Sequence, residues 1–238
     1  MSLGEAQNIV IVGAGQAAAQ AVQSLRQGGY AGNLTLVGDE AALPYQRPPL
    51  SKAYMKGEFD EERLYFKPAA WYEDQKVELL LGAHATGIDR AAREVHLGHG
   101  AHLPYDYLIL STGSRPRPLT VSGADLEGLH DLRTLVDVER IRPKMIAGRK
   151  LVIIGAGYIG LEAAAVARQM DLDVTVVEMA PRVLARVTSP VISEFYTAEH
   201  RRQGVTILTG AQTASIEGKD GKVSAVLLAD GTRLPADM

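Results

Sequence analysis

The sequence predicts an α/β protein in which two similar strand–turn–helix segments follow one another along 238 residues. In the first copy, an aliphatic run at 8–12 leads into Gly13-Ala14-Gly15 and then into a helical pattern. In the second copy, a run at 150–154 leads into Gly155-Ala156-Gly157 and another helical pattern. Continuous aliphatic runs of this length are typical of parallel strands buried on both faces. The repeat therefore predicts two tandem Rossmann-like domains, each with a three-layer ββα arrangement.

The other elements follow from the same patterns. Helices are predicted at 16–27 and 158–170, with second strands at 34–37 and 174–177. Shorter strands are predicted at 77–81, 95–97, 107–110, 205–208 and 223–228. The segment Arg115-Pro116-Arg117-Pro118 is stiff and extended, because proline fixes its own φ and restricts the preceding residue. The boundary is therefore predicted near residue 116, which gives domains at 1–115 and 116–238.

Composition limits the classes of function. The net charge of −3 gives no global electrostatic reason for nucleic-acid binding. The chain has no cysteine, which excludes disulfides, thiolate metal sites, protein-ligated iron–sulfur clusters and thiol catalysis. No signal peptide is visible, and no stretch approaches the roughly 20 apolar residues of a membrane span. We therefore expect a cytoplasmic protein that binds neither nucleic acid nor membrane.

The histidines give no metal-binding motif. None of the six has HExxH or comparable spacing, and those at 96–102 lie in a predicted hairpin tip. A solvated loop is favoured there, so no metal site is predicted.

The two glycine turns have a specific physical use. In Gly-x-Gly-x-x-Gly/Ala, the first glycine permits the tight turn and the second lets the backbone approach a diphosphate. The third position must be small so that the helix packs against the strand, and the helix start offers N–H groups to the phosphates. The sequence places these positions at Gly13, Gly15 and Ala18 in the first copy, and at Gly155, Gly157 and Gly160 in the second.

An acidic residue ends the second strand of each copy. Asp39, with Glu40 beside it, follows the first glycine turn, and Glu178 follows the second, each at about the spacing of a ribose-binding carboxylate. A carboxylate accepts hydrogen bonds from a ribose 2′-hydroxyl and repels a 2′-phosphate, which favours NADH over NADPH. Arg182 and Arg186 follow closely and are alternative phosphate ligands.

Two glycine turns imply two dinucleotides. Direct hydride transfer from NADH to a substrate needs only one such site. The economical interpretation is FAD in the first domain and NADH in the second, with hydride passing from nicotinamide to flavin.

Several motifs together resemble a known family. They are residues 10–15, the proline-rich segment Leu43-Pro44-Tyr45-Gln46-Arg47-Pro48-Pro49-Leu50-Ser51-Lys52, Ser111-Thr112-Gly113-Ser114-Arg115-Pro116, Leu132-Arg133-Thr134 and residues 155–162. The chain resembles the FAD-dependent NADH:ferredoxin reductases of bacterial cytochrome P450 and aromatic-ring dioxygenase systems. Related disulfide reductases carry a redox-active cysteine pair where this chain has the proline-rich segment.

The resemblance implies roles for individual residues. Lys52 would lie beside the flavin N5 edge and pair with Glu162, and Tyr158 would cover the flavin until nicotinamide enters. From the residues alone, Lys52 also fits a solvated loop, Glu162 a first-turn carboxylate, and Tyr158 a packing residue. Thr112, Gly113 and Ile159 lie in the matched motifs and are predicted to contact cofactor. Other matched FAD contacts are Ala17, Asp39, Arg47, Ala85 and Arg133, although Arg133 fits a structural ion pair equally well.

The resemblance also implies a function. It is electron transfer from NADH through FAD to a [2Fe–2S] ferredoxin, by a monomer or weak homodimer. Two alternatives stay open: a rubredoxin reductase or other cysteine-free flavin reductase, and a nucleotide-binding redox sensor without turnover. Family members are longer, so the second domain is expected to be C-terminally incomplete, with weak FAD binding and little activity by this chain alone.

Overall fold

The computed structural model describes residues 7–238, which form two compact units. The first unit comprises the chain up to Gln46 together with Asp60–Arg115, and the second comprises Arg47–Phe59 together with Pro116–Met238. The proline-rich segment thus belongs to the second unit at Arg47 and beyond, although it lies within the sequence of the first. The assignment of an FAD-binding and an NAD-binding domain stays a prediction.

Every strand and helix that the sequence patterns predict is present, and the structure adds helices and strands that they did not predict. The elements up to residue 115 are β1 (Asn8–Val12), α1 (Gln16–Gln27), β2 (Asn33–Gly38), α2 (Ala53–Lys56), α3 (Ala69–Asp74), β3 (Val77–Leu81), β4 (Ala85–Asp89), β5 (Glu94–Leu97), β6 (His102–Pro104) and β7 (Tyr107–Leu110). The later elements are α4 (Leu135–Ile141), β8 (Lys150–Ile154), α5 (Tyr158–Gln169), β9 (Asp173–Glu178), α6 (Pro190–Arg202), β10 (Thr206–Thr209), β11 (Thr213–Lys219), β12 (Lys222–Leu228) and β13 (Arg233–Pro235). Short 3₁₀ turns lie at Pro48–Ser51, Glu61–Arg63 and Arg142–Lys144.

The first unit is built on a parallel sheet with the strand order β3-β2-β1-β7. One face of the sheet packs against α1 and α3 through a core that includes Ile11, Val22 and Tyr72. The other face packs against the antiparallel sheet β4-β5-β6, where Val10 and Val95 share a second core. Because alternate strand residues point to opposite faces, β1 contributes to both cores.

The second unit repeats this plan. The parallel strands β10-β9-β8 form its central sheet, and β11-β12-β13 form an antiparallel sheet. Val177 of β9 packs with Ile216 and Val226 of the antiparallel sheet, while α5 buries Leu161 and Ala164. The predicted pair of three-layer ββα Rossmann-like folds is confirmed. No helix in the described residues is long and apolar enough to cross a membrane.

The first core contains a buried tyrosine hydroxyl that lowers the stability of the fold. The Tyr72 side chain is fully buried, and its hydroxyl has no hydrogen-bond partner among the residues that the structure describes. Burial raises the pKa of Tyr72 from 10.0 to about 12, because the charged phenolate is disfavoured away from water. The neutral ring is therefore retained in the fold across the physiological range.

We expect Tyr72→Phe to raise the free energy of unfolding by about 1 kcal/mol at pH 7, because it removes a desolvated, unpaired hydroxyl. The variant should also lose less stability than the parent as the pH rises from 10 to 12, since the unfolded tyrosine ionises first. Urea unfolding at several pH values measures both effects. The control is Tyr45→Phe, because the Tyr45 hydroxyl donates to Glu40 Oε2 at 2.6 Å, and its loss should destabilise. Destabilisation by Tyr72→Phe equal to that of the control would contradict the interpretation.

Candidate dinucleotide sites

The first glycine turn is fixed by close backbone packing. Gly13 has φ of +110°, and a Cβ atom there would lie 2.1 Å from the carbonyl oxygen of Ser111. The Gly13 N–H donates to the carbonyl of Val37 at 2.8 Å, which holds the turn at the end of β2. Only glycine satisfies both the positive φ and the contact.

The start of α1 is open. Gly15 is its N-cap residue and has an extended backbone, and no side chain in residues 7–238 caps the helix. A Cβ atom at Gly15 would meet no described atom within 4 Å. Helix starts without a capping side chain keep N–H groups available for an anion. The turn is therefore not filled by the chain's own side chains, and a diphosphate fits it.

The second glycine turn shares the positive φ and the open helix start, but a Cβ atom at its first glycine would meet no described atom within 4 Å. Gly155 has φ of +109°, and its N–H donates to the carbonyl of Val177 at 2.7 Å. Gly157 is the uncapped N-cap residue of α5, and a Cβ atom there would have no described neighbour within 4 Å. A Cβ atom at Gly160 would lie 2.1 Å from the carbonyl oxygen of Gly155, so α5 passes directly against the turn. Ala18 takes the corresponding position in α1 and is fully buried.

Glu178 reaches the second turn directly. It is the last residue of β9, and its two carboxylate oxygens accept hydrogen bonds from the N–H groups of Ala156 and Ala180, each at 2.8 Å. A carboxylate oxygen has two acceptor positions, so each oxygen keeps one for a ribose hydroxyl. Asp39 lies just after β2 and is exposed, and the neighbouring Glu40 accepts from Tyr45.

The two arginines that follow Glu178 differ in their hydrogen bonding. The guanidinium of Arg182 donates to the carbonyls of Thr188 at 2.9 Å and Ala185 at 2.8 Å. It also donates to Ser193 Oγ at 2.7 Å, which ties the loop before α6 to that helix. Arg186 is exposed. Arg182 therefore stabilises its own loop. The sequence had offered this arginine as an alternative phosphate ligand.

Lys52 and Glu162 form an ion pair within the second unit. Lys52 Nζ lies 2.6 Å from Glu162 Oε2 and donates to the carbonyl of Pro48 at 3.2 Å. Ser51 is buried, and its hydroxyl donates to the same Glu162 oxygen at 2.5 Å. Sequence reasoning paired the two charges but gave Ser51 no role, although Ser51 stands beside Lys52 in the proline-rich segment. Two donors on one oxygen fix the carboxylate, and the carboxylate in turn holds the lysine.

A cavity of about 240 Å³ adjoins this ion pair. It brings together predicted residues from the proline-rich segment, the region before α4 and the start of α5. The guanidinium of Arg47 donates to the carbonyl of Arg133 at 2.8 Å, which links two of these segments. Tyr158 and Ile159 lie on the cavity with their side chains largely exposed. The predicted residues that line the cavity are Arg47, Lys52, Arg133, Tyr158, Ile159 and Glu162.

The other predicted positions lie in the first unit. Ala17 is exposed in the first turn of α1, next to the glycine turn, and Ala85 begins β4. Thr112 and Gly113 follow β7, and Gly113 has φ of +70°. Ala17, Thr112 and Gly113 lie beyond the carboxyl ends of β1 and β7, which is where dinucleotides bind in folds of this type, and the role of Ala85 stays a prediction.

Comparison with known proteins places the chain in a family. The pattern that defines the pyridine nucleotide-disulphide oxidoreductases matches residues 7–238. The chain belongs to this family. FAD and NAD(H) are the cofactors of the family, so the inference of two dinucleotides is confirmed.

Its relatives are reductases. The chain is 48% identical over 236 residues to putidaredoxin reductase CamA from Pseudomonas putida, covering 97% of this chain and 56% of the relative. It is 44% identical to rhodocoxin reductase from Rhodococcus erythropolis, covering 97% of this chain and 54% of the relative. The crystal structure of a covalent putidaredoxin reductase–putidaredoxin complex matches with a TM-score of 0.96 at 46% identity, over 99% of this chain and 58% of the matched chain. The predicted resemblance is confirmed, and the chain spans little more than half the length of these relatives.

We expect Gly157→Ala to weaken NADH binding by about tenfold, roughly 1.4 kcal/mol, because its methyl group enters the space open to the diphosphate. The thermal unfolding temperature should stay close to that of the parent, since no described atom stands near that methyl group. Fluorescence titration with NADH and circular dichroism measure the two effects.

Gly160→Ala is the matched comparison. Its methyl group would meet the Gly155 carbonyl, so this variant should lose about 1–3 kcal/mol of stability through overpacking. If Gly157→Ala bound NADH as tightly as the parent, the turn would not be a diphosphate cradle.

Proposed function

We propose that this chain carries the FAD-binding and NADH-binding parts of a flavoprotein that passes electrons from NADH to a [2Fe–2S] ferredoxin. The ferredoxin would serve a cytochrome P450 or an aromatic-ring dioxygenase. The observation that carries the proposal is the Lys52–Glu162 pair, fixed by Ser51 beside an open cavity, in a chain with two glycine cradles and no cysteine. These 238 residues supply no thiol, so they offer no thiol route for the electrons.

The cofactors supply the redox chemistry when bound: the nicotinamide gives a hydride, and the flavin accepts two electrons and releases them singly. The protein's residues supply position and charge. The ammonium group of Lys52 would provide a fixed positive charge beside a bound flavin and would favour its reduced form. Glu162 holds that ammonium group in place and is itself held by Ser51, and Tyr158, which lines the cavity, would cover a bound flavin in the absence of nicotinamide.

The remaining predicted residues are proposed as binding groups. We assign to FAD the first-unit residues Gly13, Gly15, Ala17, Asp39, Ala85, Thr112 and Gly113, and by the resemblance also Arg47 and Arg133 of the second unit. We assign the second turn to NADH: Gly155, Gly157, Tyr158, Ile159, Gly160 and Glu178. The oligomeric state and the cytoplasmic location stay predictions.

The choice of ferredoxin as acceptor rests on the relatives. Those named as ferredoxin reductases include the component of a biphenyl dioxygenase system from Paraburkholderia xenovorans, at 40% identity over 230 residues. A rubredoxin-NAD(+) reductase from Pseudomonas putida is 38% identical over 230 residues, so rubredoxin is the second candidate acceptor. Reduction of rubredoxin without reduction of any [2Fe–2S] ferredoxin would favour that alternative.

The test is anaerobic reduction of the protein by NADH after reconstitution with excess FAD. We expect bleaching of the flavin absorption bands in the parent. Lys52→Met keeps the length of the side chain but loses its charge, so we expect about tenfold to hundredfold slower bleaching and a lower flavin midpoint potential. Ser51→Ala should slow bleaching less, because the ion pair stays while its carboxylate loses one of two donors.

The matched control is Lys56→Met, which removes a lysine one helical turn away that pairs with the exposed Glu58. Its rate should equal that of the parent. Equal rates for Lys52→Met and Lys56→Met would overturn the proposal.

The preference between nicotinamides is a separate prediction. We expect a higher kcat/KM for NADH than for NADPH, because the Glu178 carboxylate repels a 2′-phosphate. The guanidinium of Arg182 is hydrogen-bonded within its own loop and is not available to bind that phosphate. Glu178→Gln should lower kcat/KM for NADH by about tenfold and narrow the preference, since an amide has only one acceptor oxygen. Arg186→Gln is the control for a phosphate ligand. Loss of NADPH turnover in that control, with equal use of both nucleotides by the parent, would contradict this view.

A further inference from the structure

Two histidines and a glutamate meet on the antiparallel sheet of the first unit. His96 in β5 and His102 in β6 are cross-strand partners. Glu94 precedes His96 by two positions in the same strand, so its side chain points to the same face. The three residues are distant from every glycine turn in sequence, and none is assigned to a dinucleotide.

Their ligand atoms are close together. His102 Nδ1 lies 3.1 Å from Glu94 Oε2, and the two imidazole rings stack with centroids 4.2 Å apart. One ligand atom from each residue can be chosen so that all three lie within 4.8 Å of one another. Ligands of a tetrahedral zinc ion, each at its usual bond length, stand about 3.4 Å apart. The ligand atoms are therefore near enough to share an ion once the two stacked rings, which are now inclined by 16°, rotate so that their nitrogen lone pairs converge.

The surroundings leave room for an ion and add negative charge. Gly87 lies opposite His96 in β4, and a side chain there would begin only 3.8 Å from the His96 ring. Asp89 lies opposite Glu94, and its carboxylate accepts hydrogen bonds from the N–H groups of Ala91 and Ala92, which keep it in place. A second carboxylate near the cluster favours a cation over an anion.

Stacking of two imidazoles on an exposed hairpin is not explained by core packing. His102 is half-exposed, and Glu94 is only partly covered. The apolar residues of β5, Val95 and Leu97, point to the opposite face and fill the core. Strand alternation thus separates the packing residues from Glu94, His96 and His102, which are left to act at the surface.

We propose that Glu94, His96 and His102 form a binding site for a zinc-class divalent cation. Two imidazole nitrogens and one carboxylate oxygen are a donor set that suits zinc and neighbouring transition metals, with a remaining position for water. The ion joins β5 to β6 across the hairpin. The sequence interpretation of these histidines as a solvated hairpin tip missed the site, because their spacing matches no motif and the strand register alone pairs them.

The test is titration of the untagged, chelator-treated chain with zinc chloride by isothermal titration calorimetry. We expect one equivalent to bind in the micromolar range. His96→Ala and His102→Ala should each weaken binding by about tenfold or more, as loss of one of three ligands requires. His99→Ala is the matched control, because His99 lies in the same hairpin outside the cluster and should leave the affinity unchanged.

Cobalt absorption provides a readout of the ligand set that does not depend on enzymatic activity. We expect the visible bands of four-coordinate cobalt in the parent and in His99→Ala, and their loss in His96→Ala and His102→Ala. Circular dichroism of all variants shows whether the fold is kept. Absence of zinc binding by the folded parent would overturn the proposal, as would binding that His99→Ala weakens as much as His96→Ala. Neither outcome depends on whether NADH reduces the flavin.

Discussion

The structure depends on one repeated constraint: a backbone that must pass very close to itself at the end of a strand and leave a helix start open. Gly13 and Gly155 make the turn with positive φ, and Gly15 and Gly157 leave space where a side chain would otherwise project. The first position requires a positive φ, and the second requires open space. Crowding is added to the first requirement only at Gly13, where a Cβ atom would lie 2.1 Å from the Ser111 carbonyl oxygen, since a Cβ atom at Gly155 would meet no described atom within 4 Å. Glycine meets both, for different physical reasons. The interpretation with two cofactors follows from this arrangement, and the family match over residues 7–238 agrees with it.

The Lys52–Glu162 pair shows how a sequence-remote segment contributes to a site. The 3₁₀ turn Pro48–Ser51 and the short helix after it lie in the sequence of the first unit but pack within the second. Leu50 is buried, which anchors the turn, and Ser51 is directed at Glu162 of α5. Lys52 is half-exposed, so its ion pair contributes little to stability, which agrees with the proposal that the pair positions a charge. Replacing Lys52 is therefore expected to change the free energy of unfolding little and the rate of flavin reduction more.

The exposed faces divide into two kinds. On β5, polar and ligand-forming side chains alternate with core residues, and the sheet register brings Glu94, His96 and His102 together. On α6, large apolar side chains stand in solvent, notably Val191 and Phe195, and only Ser193 is buried. The α6 pattern is therefore not amphipathic in the usual sense, which is why apolar periodicity failed to predict that helix.

The sequence by itself determined the repeated strand–turn–helix plan, the bounds of α1, and the bounds of α5 to within one residue. These features depend on local rules: the period of the apolar residues, glycine at the turns, and the spacing from each glycine turn to its acidic residue. It also supplied the pairing of Lys52 with Glu162, through resemblance. Only the tertiary structure decided that the segment from Arg47 belongs to the second unit, that Ser51 braces Glu162, and that Arg182 is committed to its own loop. The histidine cluster was likewise decided by strand register. These contacts join residues that are far apart in the sequence and that no motif links, so only the folded structure shows them.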